Sequence, residues 1–198
     1  MGLPAFQTEE VVYGSPEDYL RLEREAEYKH EYYQGEIRAI EKGDINHTRL
    51  RFNLLHLLFA QLHGKPCRPT FTERVYIENK SSFLYANVSV ACGKPKFLQH
   101  WPPDTLLNPT LLLDVVGTPS IKMDWGSRFE IYRQLPSLNQ YLVLDAQQLR
   151  AELYSRDAQG NWLLSDARSP SDVLNLSSID CQVPLAELYV GVALTGEP

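Results

Sequence analysis

The stretch FLYANVSVACG, residues 83–93, and the run LLLDVV, residues 111–116, decide how this chain folds. The first alternates apolar and polar side chains, as a strand with one buried face does, and it carries Asn87 in its middle. The second is apolar enough for a fully buried strand, except at Asp114. Because burying a carboxylate without a partner costs much free energy, Asp114 favours a functional site at this place.

The pattern around these strands predicts helices flanking a central mixed sheet. Ser15 is predicted to cap a first helix that begins at Pro16, and leucines at helical spacing predict a second helix over residues 46–62. The other predicted elements are strands within residues 28–40 (with a turn at Gly35), 69–78, 139–145, 149–155 and 161–166, a proline-rich surface loop at 94–109, a helix over 124–134 and a short helix near 185–189. This order indicates an α/β or α+β fold.

Length and composition set the broad class. The 198 residues predict an N-terminal extension, residues 1–14, followed by a single domain, residues 15–198. The chain shows no apolar run of about 20 residues and no secretory signal, so we expect a soluble, cytoplasmic protein with no membrane partner. Three cysteines without metal-like spacing, Cys67, Cys92 and Cys181, are expected to be reduced and mostly buried.

The net charge of −6 bears on partners. Proteins that mainly grip phosphates usually have a basic surface, so the charge disfavours a simple nucleic-acid binder. It does not exclude a nuclease, which reaches phosphate through a local basic cleft or a bridging metal.

Asn87, Asp114 and Arg128 form the strongest candidate constellation. Two adjacent strands that each offer an oxygen ligand, with a cation on the following helix, are the layout of a metal-dependent phosphodiesterase. Each residue also has an ordinary interpretation: Asn87 ends a strand, Asp114 caps a local turn, and Arg128 pairs with Asp124 on a helix surface for ~0.3–0.5 kcal/mol. The spacing alone leaves both interpretations open.

Several segments together resemble a known family. EYYQGEIRAI (31–40), Asn46-His47, LYANVSV (84–90), TLLNPTLLLDVV (105–116) and DWGSRFEIYRQLPSLNQYLVLD (124–145) resemble the Uma-type family of prokaryotic proteins assigned as endonucleases. The resemblance runs from about Ser15 to Tyr189. It implies the restriction-endonuclease-like fold of the PD-(D/E)xK superfamily and a homodimer that cleaves DNA with Mg²⁺ (or Mn²⁺).

The resemblance also implies a role for each site residue. Asn87 stands where the family has the Asp of a Pro-Asp pair, and Asp114 stands where it has a Glu, so these two are the expected metal ligands. Arg128 replaces the family's helix-borne Lys and is expected to stabilise charge on the phosphate. Glu31 matches an acidic residue of the family and is expected to be an accessory catalytic carboxylate.

These substitutions weaken the expected endonuclease activity. Asn87 removes one negative charge from the metal site, and Asp114 is one methylene shorter than Glu, where a misplacement of ~1 Å can cost ~100-fold in rate. Arg128 stays protonated and cannot shuttle a proton as a Lys does. We therefore expect a weak or inactive endonuclease with a degenerate active site. The alternatives are a non-catalytic relative that binds nucleic acid or a protein, and a dimerising scaffold.

One histidine and several basic residues are further candidates for contact with a substrate. His47 either faces the same cleft or makes a local hydrogen bond at a helix start, and the second interpretation is favoured. Arginines and a lysine at positions 21, 24, 29, 49 and 51 either line a DNA-facing surface or belong to solvated helix faces. The other histidines have no Cys or carboxylate at zinc-site spacing, so no zinc site is expected.

Overall fold

The computed structural model describes residues 11–40, 43–98, 105–117 and 125–195. The helices in these parts are α1 (Pro16–Glu25), α2 (Ile45–Leu62), α3 (Trp125–Tyr132) and α4 (Leu185–Leu188). The strands are β1 (Val12–Tyr13), β2 (His30–Tyr33), β3 (Glu36–Ala39), β4 (Cys67–Ile77), β5 (Ser82–Cys92), β6 (Thr105–Leu106), β7 (Leu111–Val116), β8 (Gln140–Asp145), β9 (Ala151–Arg156), β10 (Trp162–Ala167), β11 (Val173–Leu176) and β12 (Cys181–Pro184).

Ten of these strands form one mixed sheet, in the order β1-β3-β2-β5-β7-β8-β9-β10, with β4 on β5 and β6 on β4. The pairs β7–β8 and β4–β6 are parallel, and the others are antiparallel. The central mixed sheet with flanking helices confirms the predicted α+β fold class. A separate hairpin, β11–β12, was not predicted.

Strand β5 lies where the sheet divides. One edge of β5 pairs with β4 from Ser82 to Cys92. Because β4 takes that edge, β2 and β7 share the other one: β2 pairs at Phe83, and β7 pairs over Val88–Val90. Between these two contacts, β2 and β7 diverge along β5 and leave a fork at Tyr85–Asn87.

The helices pack against this sheet, and their buried residues form three apolar clusters with those of the strands. Buried leucines of α2 pack with β7, β8 and the C-terminal hairpin. The second cluster joins α3 to residues of β4, β5, β7 and β8. The third joins α1 to β2, β3 and the start of β5. Leu84 and Ala86 belong to the α3 cluster, whereas Val88 and Val90 belong to the α2 cluster. The alternation of β5 therefore breaks at Asn87, where the strand passes from one layer to the other.

Helix starts follow local capping chemistry. Ser15 and Asp18 form a capping box at the start of α1, as the Ser-Pro start indicated. The side chain of Asp44 accepts a hydrogen bond from the backbone of His47 and caps α2. Of the predicted 124–134 helix, residues 125–132 are helical, and Asp124 lies outside the described residues.

Two predictions need correction. Within the predicted surface loop 94–109, Thr105 and Leu106 are buried and pair with β4, because the chain returns to the sheet before β7. Cys67 and Cys92 form a disulfide and are not reduced thiols; only Cys181 is a free, buried cysteine. The antiparallel register places Cys67 directly opposite Cys92, which their separation in sequence does not reveal.

Two further predictions concern the ends and the surroundings of the chain. Val12–Tyr13 pairs with β3 at the edge of the sheet, and the domain boundary at residue 14 stays a prediction. No helix in the described residues is long and apolar enough to cross a membrane. The cytoplasmic location stays a prediction.

Candidate functional site

The fork in the sheet brings Glu31, Asn87, Asp114 and Arg128 together. Where β7 leaves β5, the backbone N–H of Asn87 donates to Oδ1 of Asp114 over 3.2 Å. In return, Oδ1 of Asn87 accepts from the backbone N–H of Val115 over 2.7 Å. Side chains thus replace the missing rungs of the ladder, because backbone groups inside a protein need partners.

The other side of the fork has the same construction. Where β2 leaves β5, Oε1 of Glu31 accepts from the backbone N–H of Tyr85 over 2.9 Å. The carbonyl of Tyr85 accepts from Nη2 of Arg128 over 3.0 Å. Both backbone groups of Tyr85 are therefore held by predicted site residues.

Arg128 joins the two sides of the fork. Its Nε donates to Oδ2 of Asp114 over 2.9 Å, and its Nη1 and Nη2 donate to the two oxygens of Glu31 over 2.9 and 3.0 Å. With the Tyr85 carbonyl as the fourth acceptor atom, the hydroxyl oxygen of Tyr132 is the fifth, and it accepts from Nη2 over 3.0 Å. The paired geometry on Glu31 is the fork-to-fork arrangement that makes arginine–carboxylate contacts strong.

Burial governs the electrostatics of this network. Asp114 is 0% exposed and Arg128 is 2% exposed. Burial by itself lowers the pKa of the Arg128 guanidinium, but the carboxylates of Asp114 and Glu31 outweigh it and hold that pKa well above its usual range. Arg128 is thus a permanent cation inside the fold.

Two buried tyrosines complete the network. The hydroxyl of Tyr141 donates to Oδ2 of Asp114 over 2.9 Å. Burial, followed by the charge of Asp114, raises the pKa of Tyr141 well above its usual range, so it stays a donor. Burial likewise raises the pKa of Tyr132 well above its usual range. No role was predicted for either hydroxyl, although a buried tyrosine hydroxyl needs a partner and so offers a signal in the sequence.

His47 is buried, 5% exposed, and its backbone N–H makes the local hydrogen bond to Asp44 that the favoured interpretation expects. Its ring also lies close enough to the fork for Asn87 and Asp114 to act on its pKa. Burial first, and then the nearby charge of Arg51, lower the pKa of His47 below its ordinary value. The imidazole is therefore neutral at neutral pH.

The residues present do not fit a divalent cation in this arrangement. Both oxygens of Asp114, both oxygens of Glu31 and the amide oxygen of Asn87 each accept at least one hydrogen bond. The positive charge between the two carboxylates is that of Arg128. Across the described residues, no group of three or more His, Cys, Asp or Glu side chains could hold a metal ion. The metal-ligand and catalytic roles of the four residues stay predictions.

A divided mixed sheet with an acidic pair and a cation at the fork defines a protein of the nuclease-like fold class. The family model described as "Putative restriction endonuclease", Uma2, matches residues 16–186. The chain belongs to this family, as the resemblance predicted.

Individual relatives agree with this assignment. Two uncharacterised proteins of Synechocystis sp. (strain PCC 6803) are similar to the chain: one is 33% identical over 75% of this chain and 84% of its own length. The other is 29% identical over 90% of this chain and 93% of its own length. A crystal structure titled as a "putative nuclease belonging to DUF820" from Anabaena variabilis has a TM-score of 0.73, 12% identity, and coverage of 90% of this chain and 99% of its own. That structure supports the fold.

The Arg128 network makes a prediction about stability. Arg128→Met leaves Asp114 and Glu31 without their cation, and we expect the free energy of unfolding to fall by about 3–5 kcal/mol. Arg128→Lys keeps the charge but loses the paired contacts, and we expect a smaller loss. Urea unfolding followed by circular dichroism measures both.

The matched control is Arg133→Met, directly after the end of α3. Arg133 pairs with Glu130 at the surface, where its side chain is 39% exposed, so we expect a loss below ~1 kcal/mol. Equal losses for positions 128 and 133 would contradict the role given to Arg128.

The lowered pKa of His47 makes a prediction about pH. In the unfolded chain the His47 ring has its ordinary pKa of 6.5, whereas in the folded chain that pKa is lower. The unfolded chain therefore binds more protons as pH falls from 7.5 to 5.5, and the free energy of unfolding decreases over this range. His47→Gln removes this contribution and should show a smaller drop in the urea midpoint over that range. His56→Gln, an exposed position on the same helix, should keep the wild-type drop; a drop unchanged in both variants would refute the prediction.

Proposed function

We propose that this protein is a nuclease-fold protein whose phosphodiester hydrolysis is lost or strongly reduced, and whose remaining function is to bind nucleic acid along helix α2. The single observation that carries the first half is the guanidinium of Arg128 between Asp114 and Glu31. Membership of a restriction-endonuclease family supports nucleic acid as the class of partner.

A guanidinium cannot replace a catalytic metal ion. A metal such as Mg²⁺ carries water ligands and lowers the pKa of a bound water until it becomes a nucleophile. The guanidinium supplies charge but no bound water to activate, and its raised pKa excludes proton transfer near neutral pH. The carboxylates at the fork therefore balance an internal charge instead of a metal.

The second half rests on the α2 surface, which we define as Arg51 and Phe52 of α2 with Phe71 of β4. No Asp or Glu occurs in the α2 sequence, although the whole chain has a net charge of −6. Phe52 and Phe71 are 60% and 59% exposed. The guanidinium carbon of Arg51 lies 5.9 Å from the centre of the Phe71 ring. The start of α2 is capped by an acidic residue, Asp44.

The α2 surface combines the two chemistries that bind a nucleic-acid strand. Arginines neutralise phosphates, and exposed aromatic rings stack on bases. The surface also lies near the fork, because Arg51 on one side and Asn87 and Asp114 on the other are all close enough to His47 to act on its pKa. The homodimer and a protein partner stay predictions.

The loss of hydrolysis is tested first on the wild-type protein. We expect no nicking of plasmid DNA with 10 mM Mg²⁺ or Mn²⁺ and no rise in the unfolding temperature with either ion, because a ligand that does not bind does not stabilise. Metal-dependent nicking by the wild type that Asp114→Ala abolishes would overturn the proposal.

Restoration provides the complementary test. The triple variant Asn87→Asp, Asp114→Glu, Arg128→Lys returns the family's residues to the fork, and we expect it to bind Mn²⁺ in a calorimetric titration. The double variant Asn87→Asp, Asp114→Glu, which keeps Arg128, should bind at least tenfold more weakly (about 1.4 kcal/mol). If the triple variant folds by circular dichroism but binds no Mn²⁺, the fork is not an altered metal site.

Binding along α2 is tested with fluorescein-labelled duplex and single-stranded oligonucleotides. We expect anisotropy titrations to show an affinity that falls as salt rises, with a log–log slope whose magnitude decreases by about 1 for Arg51→Gln. Phe52→Ala should weaken single-strand binding by about 1–3 kcal/mol, because it removes one stacking ring.

The matched control is Arg168→Gln. Arg168 is exposed and lies on the loop after β10, outside the α2 surface, so its loss should leave affinity and salt slope unchanged. No detectable binding at 50 mM salt, or equal effects of positions 51 and 168, would remove the case for the α2 surface.

A further inference from the structure

A cavity of about 230 Å³ opens beside the end of α1, on the side of β5 that the Tyr85 ring faces. Its walls come from the end of α1, from the residues that lead into β2, and from Arg74 of β4. The Tyr85 ring lines it, whereas the backbone of Tyr85 belongs to the Arg128 network. The cavity is thus separate from the fork.

Three cations line this cavity: Arg24, Lys29 and Arg74. Arg74 is 1% exposed; its Nε donates to Oγ1 of Thr105 over 2.8 Å, and its guanidinium packs against the rings of Tyr19 and Phe83 at 5.7 Å. Arg24 and Lys29 are exposed at the opening. The cavity therefore has one fixed cation inside and two cations on long side chains at its rim.

The acidic residues among the described lining of the cavity are Glu23 and Glu27. Glu23 is held by other partners: it accepts from the hydroxyl of Tyr85 over 2.9 Å and from the backbone N–H of His30 over 3.0 Å. Glu27 is exposed at the opening. Among the described residues that line the cavity, there are three cations and two carboxylates, in a chain whose net charge is −6.

Aromatic faces give the cavity a second character. Nζ of Lys29 lies 4.5 Å from the centre of the Tyr85 ring, and the largely exposed Tyr28 ring forms part of the wall. Arginine and lysine pair with phosphate oxygens, and flat groups pack on tyrosine rings. The volume lies below the ~300–1,000 Å³ of drug-sized sites and suits a ligand with one ring.

We propose that this cavity binds a small phosphate monoester with one flat ring: the phosphate lies among Arg24, Lys29 and Arg74, and the ring lies against Tyr85 or Tyr28. A phosphate dianion matches a site with several cations better than a single carboxylate does. The site goes beyond nucleic-acid binding on α2, since it uses none of the α2 residues.

The experiment titrates the full chain with phenyl phosphate by isothermal calorimetry. We expect saturable binding, with inorganic phosphate and benzoate each binding more weakly, because the first lacks the ring and the second carries one negative charge. Arg24→Gln and Lys29→Gln should each weaken phenyl phosphate binding by about tenfold, since each removes one charge-assisted hydrogen bond. Both side chains are exposed, so the variants should fold.

The matched control is Arg21→Gln, one turn earlier on α1, whose side chain is 76% exposed and pairs with Asp18. It should leave the affinity unchanged, as should Arg49→Gln on α2. The proposal is overturned if phenyl phosphate does not bind, if benzoate binds as tightly, or if Arg21→Gln weakens binding as much as Arg24→Gln does. If inorganic phosphate bound as tightly as phenyl phosphate, the position proposed for the ligand ring, against Tyr85 or Tyr28, would be wrong.

Discussion

The ion pairs of Arg128 with Asp114 and Glu31 are the interaction on which the centre of this fold depends. They connect α3 to β7 and β2 at the point where those strands leave β5. A buried arginine is tolerated there because two carboxylates, a carbonyl and a tyrosine hydroxyl accept its hydrogen bonds. Without that cation, two carboxylates would face each other in a largely dry interior.

The same geometry explains why polar side chains gather at the fork. When two strands diverge along a third, the backbone groups between them lose their rungs, and polar side chains must take their place. Those side chains then stand close together, next to an opening in the sheet. A metal ion or an arginine can neutralise the resulting acidic cluster, but only the metal brings a water that can attack phosphorus. A change of the cation thus changes the chemistry while the fold persists.

The parts of the fold that depend on local pattern were predictable. The leucine spacing of α2, the Ser-Pro start of α1 and the buried run of β7 act over a few residues, and the structure agrees with each. The disulfide of Cys67 with Cys92, the buried strand β6 and the hairpin β11–β12 were not predicted. Each depends on which distant segment lies alongside, and a single sequence contains no direct record of that pairing.

The sequence by itself determined the fold class, the family and the identity of the four residues at the fork, because periodicity and motif order survive substitution. Only the tertiary structure decided what those residues do to one another. Asn87 hydrogen-bonds β7, Asp114 and Glu31 share the charge of Arg128, and His47 turns inward toward Asn87. The physical reason is that hydrogen-bond saturation and burial depend on the positions of side chains from five separate segments, which meet only after the sheet has formed.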